Sequence, residues 1–242
     1  MTWLDDLVSF SKGQLPDRAR EALYARGVTD EQIEVYEIGY FNGRLPEGDF
    51  PDKFIEWSQG GSKLTDVFCL PLTNTLGAVR GLQFRYVERA RKGYMDCIPD
   101  KSEAVLFGLA QAMPHVWKTG EVYLVEGGFD LFPIQRIIPG TIATLTARVV
   151  DPLYRVLRRL CSKIWLGYDM DRTGQAASHK FRKEHGREFE VLIVSYPQIP
   201  KSDGKGLTKD PGELWEEWGD NRLREHMQSI LRPANGLEFD NA

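Results

Sequence analysis

The feature that most constrains the fold is the alternation of short apolar runs with amphipathic segments between residues 119 and 200. Four runs are rich in Val, Ile and Leu, and the segments between them space their apolar residues as helices do; the runs are EVYLVEGG, GTIATLT, KIWLGYDMD and FEVLIVSYP. Strands that are apolar along their whole length and alternate with helices are typical of a parallel sheet covered on both faces. The pattern therefore predicts an α/β fold with a Rossmann-like parallel sheet flanked by helices.

The first 118 residues carry a different pattern. Residues 2–38 have helical spacing, and Thr29 or Asp30 is the expected N-cap of one of these helices. DVFCLPL and GAVRGLQFRYVER are β-like, and TNTLG between them has the length of a hairpin turn. We therefore predict an α+β subdomain with antiparallel pairing over residues 1–118.

The end of the chain is predicted to be helical. LTKDPGELWEEWGDNRLREHMQSIL has the spacing of one or two helices. The stretch PQIPKSDGKGLTK, which overlaps its start, is rich in Pro, Gly and Lys and is expected to be a linker. The sequence thus divides into three regions, 1–118, 119–200 and a C-terminal helical segment over 201–242.

Composition excludes several classes of protein. The formal charge is −4, so there is no overall basic excess, and any nucleic-acid surface has to be local. The cysteines Cys69, Cys97 and Cys161 are scattered and form no CxxC pair, which argues against a disulfide framework and predicts no zinc. The N-terminus does not resemble a signal peptide, and no apolar run approaches transmembrane length. We therefore expect a cytoplasmic protein without a membrane partner.

Three carboxylates follow two of the predicted strands. Glu126 follows EVYLV, and Asp169 and Asp171 follow KIWLGY. In open parallel α/β sheets ligands bind beyond the carboxyl ends of the strands, so these acids are expected to converge at one edge. Like charges this close repel each other and resist burial, and a divalent cation such as Mg²⁺ removes both difficulties. The pattern predicts a phosphoryl-transfer site, where Gly127 and Gly128 leave room for a phosphate or an ion.

Each acidic residue also has a simpler explanation. Strand-end aspartates such as Asp169 and Asp171 often face solvent or cap a helix, and Glu126 could be a strand-end charge facing water. Asp210 in KDPGE is a good helix N-cap, because Pro and Glu follow it at the first and third helical positions. The metal hypothesis therefore depends on the whole set of acids.

The order of the motifs resembles a known family. VEGG with Asp130 two residues later, then YDMDRTGQAA, then KDPGE, resembles the acidic signature of the TOPRIM fold, which bacterial-type primases, topoisomerases and some nucleases share. ALYARGVTDEQIEVYEIGYFNG resembles the opening of the RNA-polymerase core of bacterial (DnaG-type) primases, and DVFCLPLTNTLGAVRGLQFRY resembles the strand pair that follows in that core. KGYMD and AVLFGL resemble the motifs that precede TOPRIM there. The resemblance covers roughly residues 20–220 and makes residues 119–200 the expected TOPRIM domain.

The resemblance implies roles for the acidic residues. Glu126 is the expected general acid/base or metal-proximal carboxylate, and Asp169 and Asp171 are expected to bind Mg²⁺ or Mn²⁺ and to share in catalysis. Asp130 and Asp210 are expected in the same metal-binding cluster.

A basic track is expected beside these acids. The resemblance implies that Arg85, Lys92 and Tyr94 line it for template or incoming nucleotide. The stretch VRGLQFRYVERARKGY also contains Arg80 and interleaves aromatic with basic residues, as single-strand grooves do, although a hairpin with a solvated basic face explains it as well. Lys101, in the short loop PDKSEA, is the expected replacement for a longer basic loop of the family.

The chain also departs from the family pattern. Gly212 stands where a second aspartate usually follows the residue matched by Asp210, so one metal is expected to be bound more loosely. The N-terminal zinc-binding domain and the C-terminal helicase-interacting domain of cellular primases are not expected in this chain.

The resulting prediction is a stand-alone DNA primase core, a nucleotidyltransferase of phage or mobile-element type. It would use ribonucleoside triphosphates and a single-stranded DNA template to make short RNA primers, with a replicative helicase or a separate zinc-binding protein as partner. Two alternatives stay open, namely a TOPRIM nuclease and a non-catalytic module that binds nucleic acid or nucleotide in a replication or virion assembly.

Overall fold

Two four-stranded sheets organise the part of the chain that the structure describes. The structure is a computed structural model, and it describes residues 2–59, 64–88, 94–97, 106–146, 149 and 151–231. The first sheet is antiparallel, and its strand order is the order of the chain. Its strands are β1 (Gly39–Phe41), β2 (Val67–Thr73), β3 (Val79–Tyr86) and β4 (Tyr94–Cys97).

Four helices accompany this sheet, namely α1 (Trp3–Lys12), α2 (Asp17–Tyr24), α3 (Asp30–Val35) and α4 (Asp52–Gln59). Thr2 and Thr29 begin α1 and α3 with capping boxes, in which the threonine hydroxyl accepts from the N3 amide and the N3 side chain accepts from the cap amide. Thr29, rather than Asp30, is thus the N-cap of α3. The predicted helices before residue 38 are confirmed.

The predicted hairpin is the β2–β3 pair. The side chain of Asn74 accepts hydrogen bonds from the amides of Leu76 and Ala78, at 3.0 and 3.1 Å, and this closes the turn. Gly77 in the turn has φ of 81°, a left-handed conformation that glycine adopts without a steric penalty. The antiparallel prediction for this segment is therefore confirmed.

The second sheet is parallel, as the alternation of strands and helices predicts. Its strands are β5 (Glu121–Val125), β6 (Thr141–Ala143), β7 (Lys163–Gly167) and β8 (Glu190–Ile193), arranged in the order β6-β5-β7-β8. The accompanying helices are α5 (Leu109–Thr119), α6 (Leu131–Gln135), α7 (Asp151–Leu160), α8 (Arg172–His185) and α9 (Pro211–Leu231).

Both faces of this sheet are buried. Val122 and Leu124 of β5 belong to a core that includes residues of α5, α7 and α8, whereas Tyr123 and Val125 belong to a core with α6 and α9. The second core also contains Phe68 of β2, so the two sheets pack through shared apolar side chains. Burial on both faces explains why β5 is apolar along its length, and it fixes the sheet edge on which the strand-end acids lie.

The segment after β8 differs in part from the prediction. The stretch expected to be a linker is a hydrogen-bonded loop, in which the Lys201 amide donates to the Gly206 carbonyl at 3.0 Å and the Thr208 amide to the Ile199 carbonyl at 2.9 Å. The following α9 is interrupted at Gly219, which has φ of 71° and ψ of −179°, so two helical segments follow each other as predicted. Every helix in the described ranges is too short or too polar to cross a membrane.

Candidate active site at the carboxyl edge of the parallel sheet

The predicted acids lie at one edge of the parallel sheet. Val125, the last residue of β5, pairs with Gly167, the last residue of β7, so the chain segments that leave these neighbouring strands begin side by side. Glu126 leaves β5, and Asp169 follows β7 by two residues. Burial raises the pKa of Glu126, and the charge of Asp169 adds to the rise, so the two carboxylates are close enough to interact.

Asp169 and Asp210 share a lysine that sequence reasoning missed. Lys209 Nζ lies 3.0 Å from Asp169 Oδ2 and 3.5 Å from Asp210 Oδ2. The Met170 amide donates to the Lys209 carbonyl at 2.6 Å, and this bond joins the start of α9 to the end of β7. Burial raises the pKa of Asp169, while the hydrogen bond from Lys209 opposes the rise.

Asp210 and Asp171 each cap a helix and also belong to the acidic cluster. Asp210 Oδ1 accepts from the Glu213 amide at 2.7 Å, and Asp171 Oδ1 accepts from the Gly174 amide at 2.8 Å, so both carboxylates cap helices. The other oxygen of Asp210 faces Lys209. Both aspartates raise the pKa of Glu126 by their charge, so the caps also belong to the acidic cluster.

Glu126 is partly buried beside the other acids. Its Oε2 atom is buried and has no hydrogen-bond partner among the described residues. Burial raises the pKa of Glu126 to about 7, and the charges of Asp169 and Asp171 add to the rise. A carboxyl group with this pKa exchanges protons near neutral pH, as a general acid or base must.

Asp130 lies against two glycines. Its Oδ2 accepts from the Gly127 amide at 3.0 Å, and a Cβ at Gly212 would stand 2.7 Å from its Oδ1. Burial raises the pKa of Asp130 well above its ordinary value, and the charges of Asp210 and Asp169 add to the rise. The start of α9 can therefore approach this carboxylate only because residue 212 lacks a side chain.

The donor set suits a hard divalent cation. The five acids are Glu126, Asp130, Asp169, Asp171 and Asp210, and carboxylate oxygens are the ligands that Mg²⁺ and Mn²⁺ prefer. The orphaned oxygen of Glu126 is a donor in need of a partner. In the described part of the chain no three His, Cys, Asp or Glu side chains are arranged to hold one ion together. The metal site therefore stays a prediction that the residue chemistry fits.

The predicted basic track is described in part. Arg85 on β3 lies with its guanidinium carbon 6.0 Å from the ring centroid of Phe129, and its charge opposes the rise in the pKa of Asp130. Arg80 on the same strand is exposed and acts electrostatically on Asp5 of α1, so the structure places it with the first helix. Lys92 and Lys101 lie outside the described residues, as does the side chain of Tyr94 on β4.

A second arginine stands beside this aromatic ring. The guanidinium carbon of Arg26 lies 4.4 Å from the centroid of Phe129 and 5.5 Å from that of Phe68, and its Nη2 donates to the Val87 carbonyl at 3.1 Å. Arg26 and Arg85 thus both contact the residue next to Asp130. Nothing in the helical spacing around Arg26 signals this position, whereas Lys209 stands directly before Asp210 in KDPGE, which is a signal in the sequence for a basic residue beside the acids.

The sequence of this chain is similar to those of curated DNA primases. A DNA primase of Lactococcus lactis subsp. lactis (strain IL1403) is 30% identical over 258 residues, which cover 92% of this chain and 38% of that protein. A DNA primase of Treponema pallidum (strain Nichols) is 26% identical over 239 residues, covering 91% of this chain and 38% of that protein. This chain therefore spans less than two fifths of the length of these curated relatives. No family model matches the sequence.

Solved structures give the same result for the fold. The DnaG catalytic core has a TM-score of 0.71 at 20% identity, covering 94% of this chain and 78% of that one. The DnaG primase catalytic domain bound to ssDNA has a TM-score of 0.70 at 20% identity, covering 94% of this chain and 77% of that one. The fold and the resemblance that the motifs predict are confirmed.

Proposed function

We propose that this chain, which is homologous to DNA primases and has the fold of the DnaG catalytic core, synthesises short RNA primers on single-stranded DNA. The observation that carries the proposal is the acidic edge beside the arginines that contact Phe129. Nucleotide joining needs negative side chains for cations and positive ones for phosphates, and here the two kinds meet around Asp130. The structure of a DnaG catalytic domain bound to ssDNA supports the choice of template.

In the proposed reaction the 3′ oxygen of the growing primer forms a bond to the α-phosphorus of an incoming ribonucleoside triphosphate. The bond from that phosphorus to the bridging oxygen breaks, and pyrophosphate leaves. Glu126, with its pKa raised to about 7, is the group of the cluster suited to take the proton of the 3′ hydroxyl. Glu126, Asp169, Asp171, Asp130 and Asp210 would hold Mg²⁺ or Mn²⁺, which supplies stabilisation of the charge on the phosphoryl oxygens.

The template and nucleotide contacts are assigned to the basic side. Arg26 and Arg85 have guanidinium groups, which bind phosphates well, and both lie beside Phe129. Lys92, Tyr94 and Lys101 remain proposed contacts with template or nucleotide. A replicative helicase or a separate zinc-binding protein remains a proposed partner. The cytoplasm remains the proposed location, which is that of the bacterial host if the chain is phage-encoded.

The test is primer synthesis on a single-stranded DNA template with labelled ribonucleotides and Mg²⁺ or Mn²⁺. We expect short RNA from the wild-type chain and a loss of at least about 100-fold in Asp169→Ala, which removes a carboxylate from the reacting edge. Glu121→Gln, at the opposite edge of the sheet, is the control and is expected to retain activity. Equal product from the wild type and Asp169→Ala would contradict the catalytic proposal.

The same assay separates the alternatives. A TOPRIM nuclease would use the same acids and would shorten the DNA template. A non-catalytic module would bind DNA or nucleotide and leave both unchanged.

A further inference from the structure

The ammonium group of Lys209 lies between two acids of the cluster. Its side chain is 45% exposed, whereas those of Asp169 and Asp210 are each 12% exposed, so the ammonium group enters the cluster from the solvent side. Its backbone is fixed on both sides, because its carbonyl accepts from the Met170 amide at 2.6 Å and its amide donates to Glu213 Oε2 at 2.9 Å. The backbone therefore directs the side chain towards the acids.

The surrounding charges favour this placement. The carboxylates that act on one another at this edge are Glu126, Asp130, Asp169, Asp171 and Asp210. Lys209 acts on most of these groups, since its charge lowers the pKa of Glu126, Asp130, Asp169 and Asp210. Arg85 also lowers the pKa of Asp130. Burial opposes the charged form of Lys209, but the surrounding carboxylates together outweigh that effect, Asp169 foremost among them, and they raise the pKa of Lys209.

We propose that Lys209 is a resident cation of the acidic edge, which holds Asp169 and Asp210 in the metal-free protein and must release Asp169 when a divalent cation binds. The inference rests on the proposed function only in taking this edge as the metal site. Asp169 Oδ2 accepts from Lys209 Nζ at 3.0 Å, so an ion that is bound by this oxygen and the lysine would compete for the same lone pairs, and the two positive charges would repel each other. The half-exposed ammonium group, on its flexible four-carbon stem, can turn back into water when it is displaced.

The consequence is that the lysine weakens metal binding while it stabilises the empty edge. A variant without the ammonium group has both carboxylates available, so it binds the ion without a competing bond. A lysine with a purely structural role has the opposite effect, because its removal disorders Asp169 and Asp210 and weakens metal binding.

The experiment compares Lys209→Met with the wild-type full chain, using Mn²⁺ alone as the probe. Mn²⁺ affinity is measured by direct titration, and the unfolding midpoint is measured in EDTA. We expect Mn²⁺ to bind Lys209→Met about five- to tenfold more tightly, since a partly exposed charge-assisted bond no longer competes. In EDTA the unfolding midpoint of this variant is expected to fall, because the aspartates lose their counter-charge.

Two further variants separate the charge from the packing. Lys209→Arg keeps the positive charge and is expected to bind Mn²⁺ as the wild type does. Lys205→Met is the matched control, because Lys205 lies in the same loop and its side chain is exposed. Its Mn²⁺ affinity is expected to stay within about twofold of the wild type, as for the loss of an exposed surface charge.

The outcomes distinguish the inference from the proposed function. Equal or weaker Mn²⁺ binding by Lys209→Met than by the wild type would overturn the inference and leave the metal-dependent function standing. Absence of Mn²⁺ binding in the wild type and in every variant would overturn both.

Discussion

The two edges of the parallel sheet differ in how their charged side chains are paired. At the amino edge Lys163 is in register with Glu121 on one neighbouring strand and with Glu190 on the other, and its Nζ lies 3.6 and 3.8 Å from their carboxylates. Trp165 donates a further hydrogen bond to Glu121 at 3.0 Å. At the carboxyl edge several acids act on one another, and a buried oxygen of Glu126 has no described partner.

The difference shows which edge of the sheet carries unfavourable interactions between like charges. One lysine between two partly exposed glutamates is an ordinary way to satisfy strand-end charges, and it requires no ligand. Acids that raise one another's pKa values destabilise the folded protein, so selection for stability alone would remove them. The comparison thus supports a ligand at the carboxyl edge and none at the amino edge.

The largest stability effect is expected from Glu126→Gln. The pKa of Glu126 is raised from 4.5 to about 7, first by burial and then by Asp169 and Asp171, so the folded protein keeps a proton that the unfolded chain releases in this range. The wild-type free energy of unfolding therefore falls as pH rises from 4.5 to 7. In EDTA at pH 8 we expect the glutamine variant to be about 2 kcal/mol more stable, after allowance for partial exposure.

Urea unfolding at several pH values measures this gain. Glu121→Gln at the amino edge is the matched control and is expected to gain nothing, because it loses an ion pair with Lys163. If both variants gained equally, the two edges would not differ in the way described above.

The parallel sheet and the placement of its acids could be predicted because both follow from local pattern. Continuous apolar strands indicate a sheet with two buried faces, and residues that directly follow such strands must lie at the carboxyl edge. The short strand β1 could not be predicted, because its three residues stand in a turn-rich stretch and owe their extended form to pairing with β2. The helix α5 could not be predicted either, because Pro114 lies in its interior and proline is disfavoured there.

The positions of Lys209 and Arg26 depend on tertiary contacts. Lys209 reaches Asp169 because its carbonyl is bound by the Met170 amide, a link across about forty residues that no local spacing reveals. The need for glycine at position 212 also depends on a tertiary contact, because only the structure shows that Asp130 lies against this residue.

A smaller loss of stability is expected from Gly212→Ala. The added Cβ would stand 2.7 Å from Asp130 Oδ1 and 3.4 Å from Asp210 Oδ1, so the carboxyl edge must shift to admit it. We expect a loss of about 1.5 kcal/mol in the free energy of unfolding, although alanine is the better helix former. Urea unfolding of the single variants, and of a double variant that adds Asp130→Ala, measures the coupling between the two positions.

The double variant makes the cause testable. Asp130→Ala removes the oxygen that the new Cβ meets, so the loss caused by Gly212→Ala is expected to fall by about 1 kcal/mol in that background. Gly13→Ala is a suitable control, because its Cβ would meet nothing closer than 3.6 Å. A loss at Gly212 that does not depend on Asp130 would show that the carboxyl edge is not crowded at this point.

The smallest effect is expected from Lys163→Met at the amino edge. Lys163 is 20% exposed and its partners Glu121 and Glu190 are 40% and 62% exposed, so water screens both ion pairs. The methionine loses both ion pairs and the ammonium group that lies 4.8 Å from the ring centroid of Trp165. These are weak at partly exposed sites, so the expected loss is about 1 kcal/mol, shrinking in 1 M salt. Urea unfolding at low and high salt measures it. A loss above about 2 kcal/mol that persists in high salt would mean that the amino edge depends strongly on its lysine. The two edges of the sheet would then not differ in the way described above.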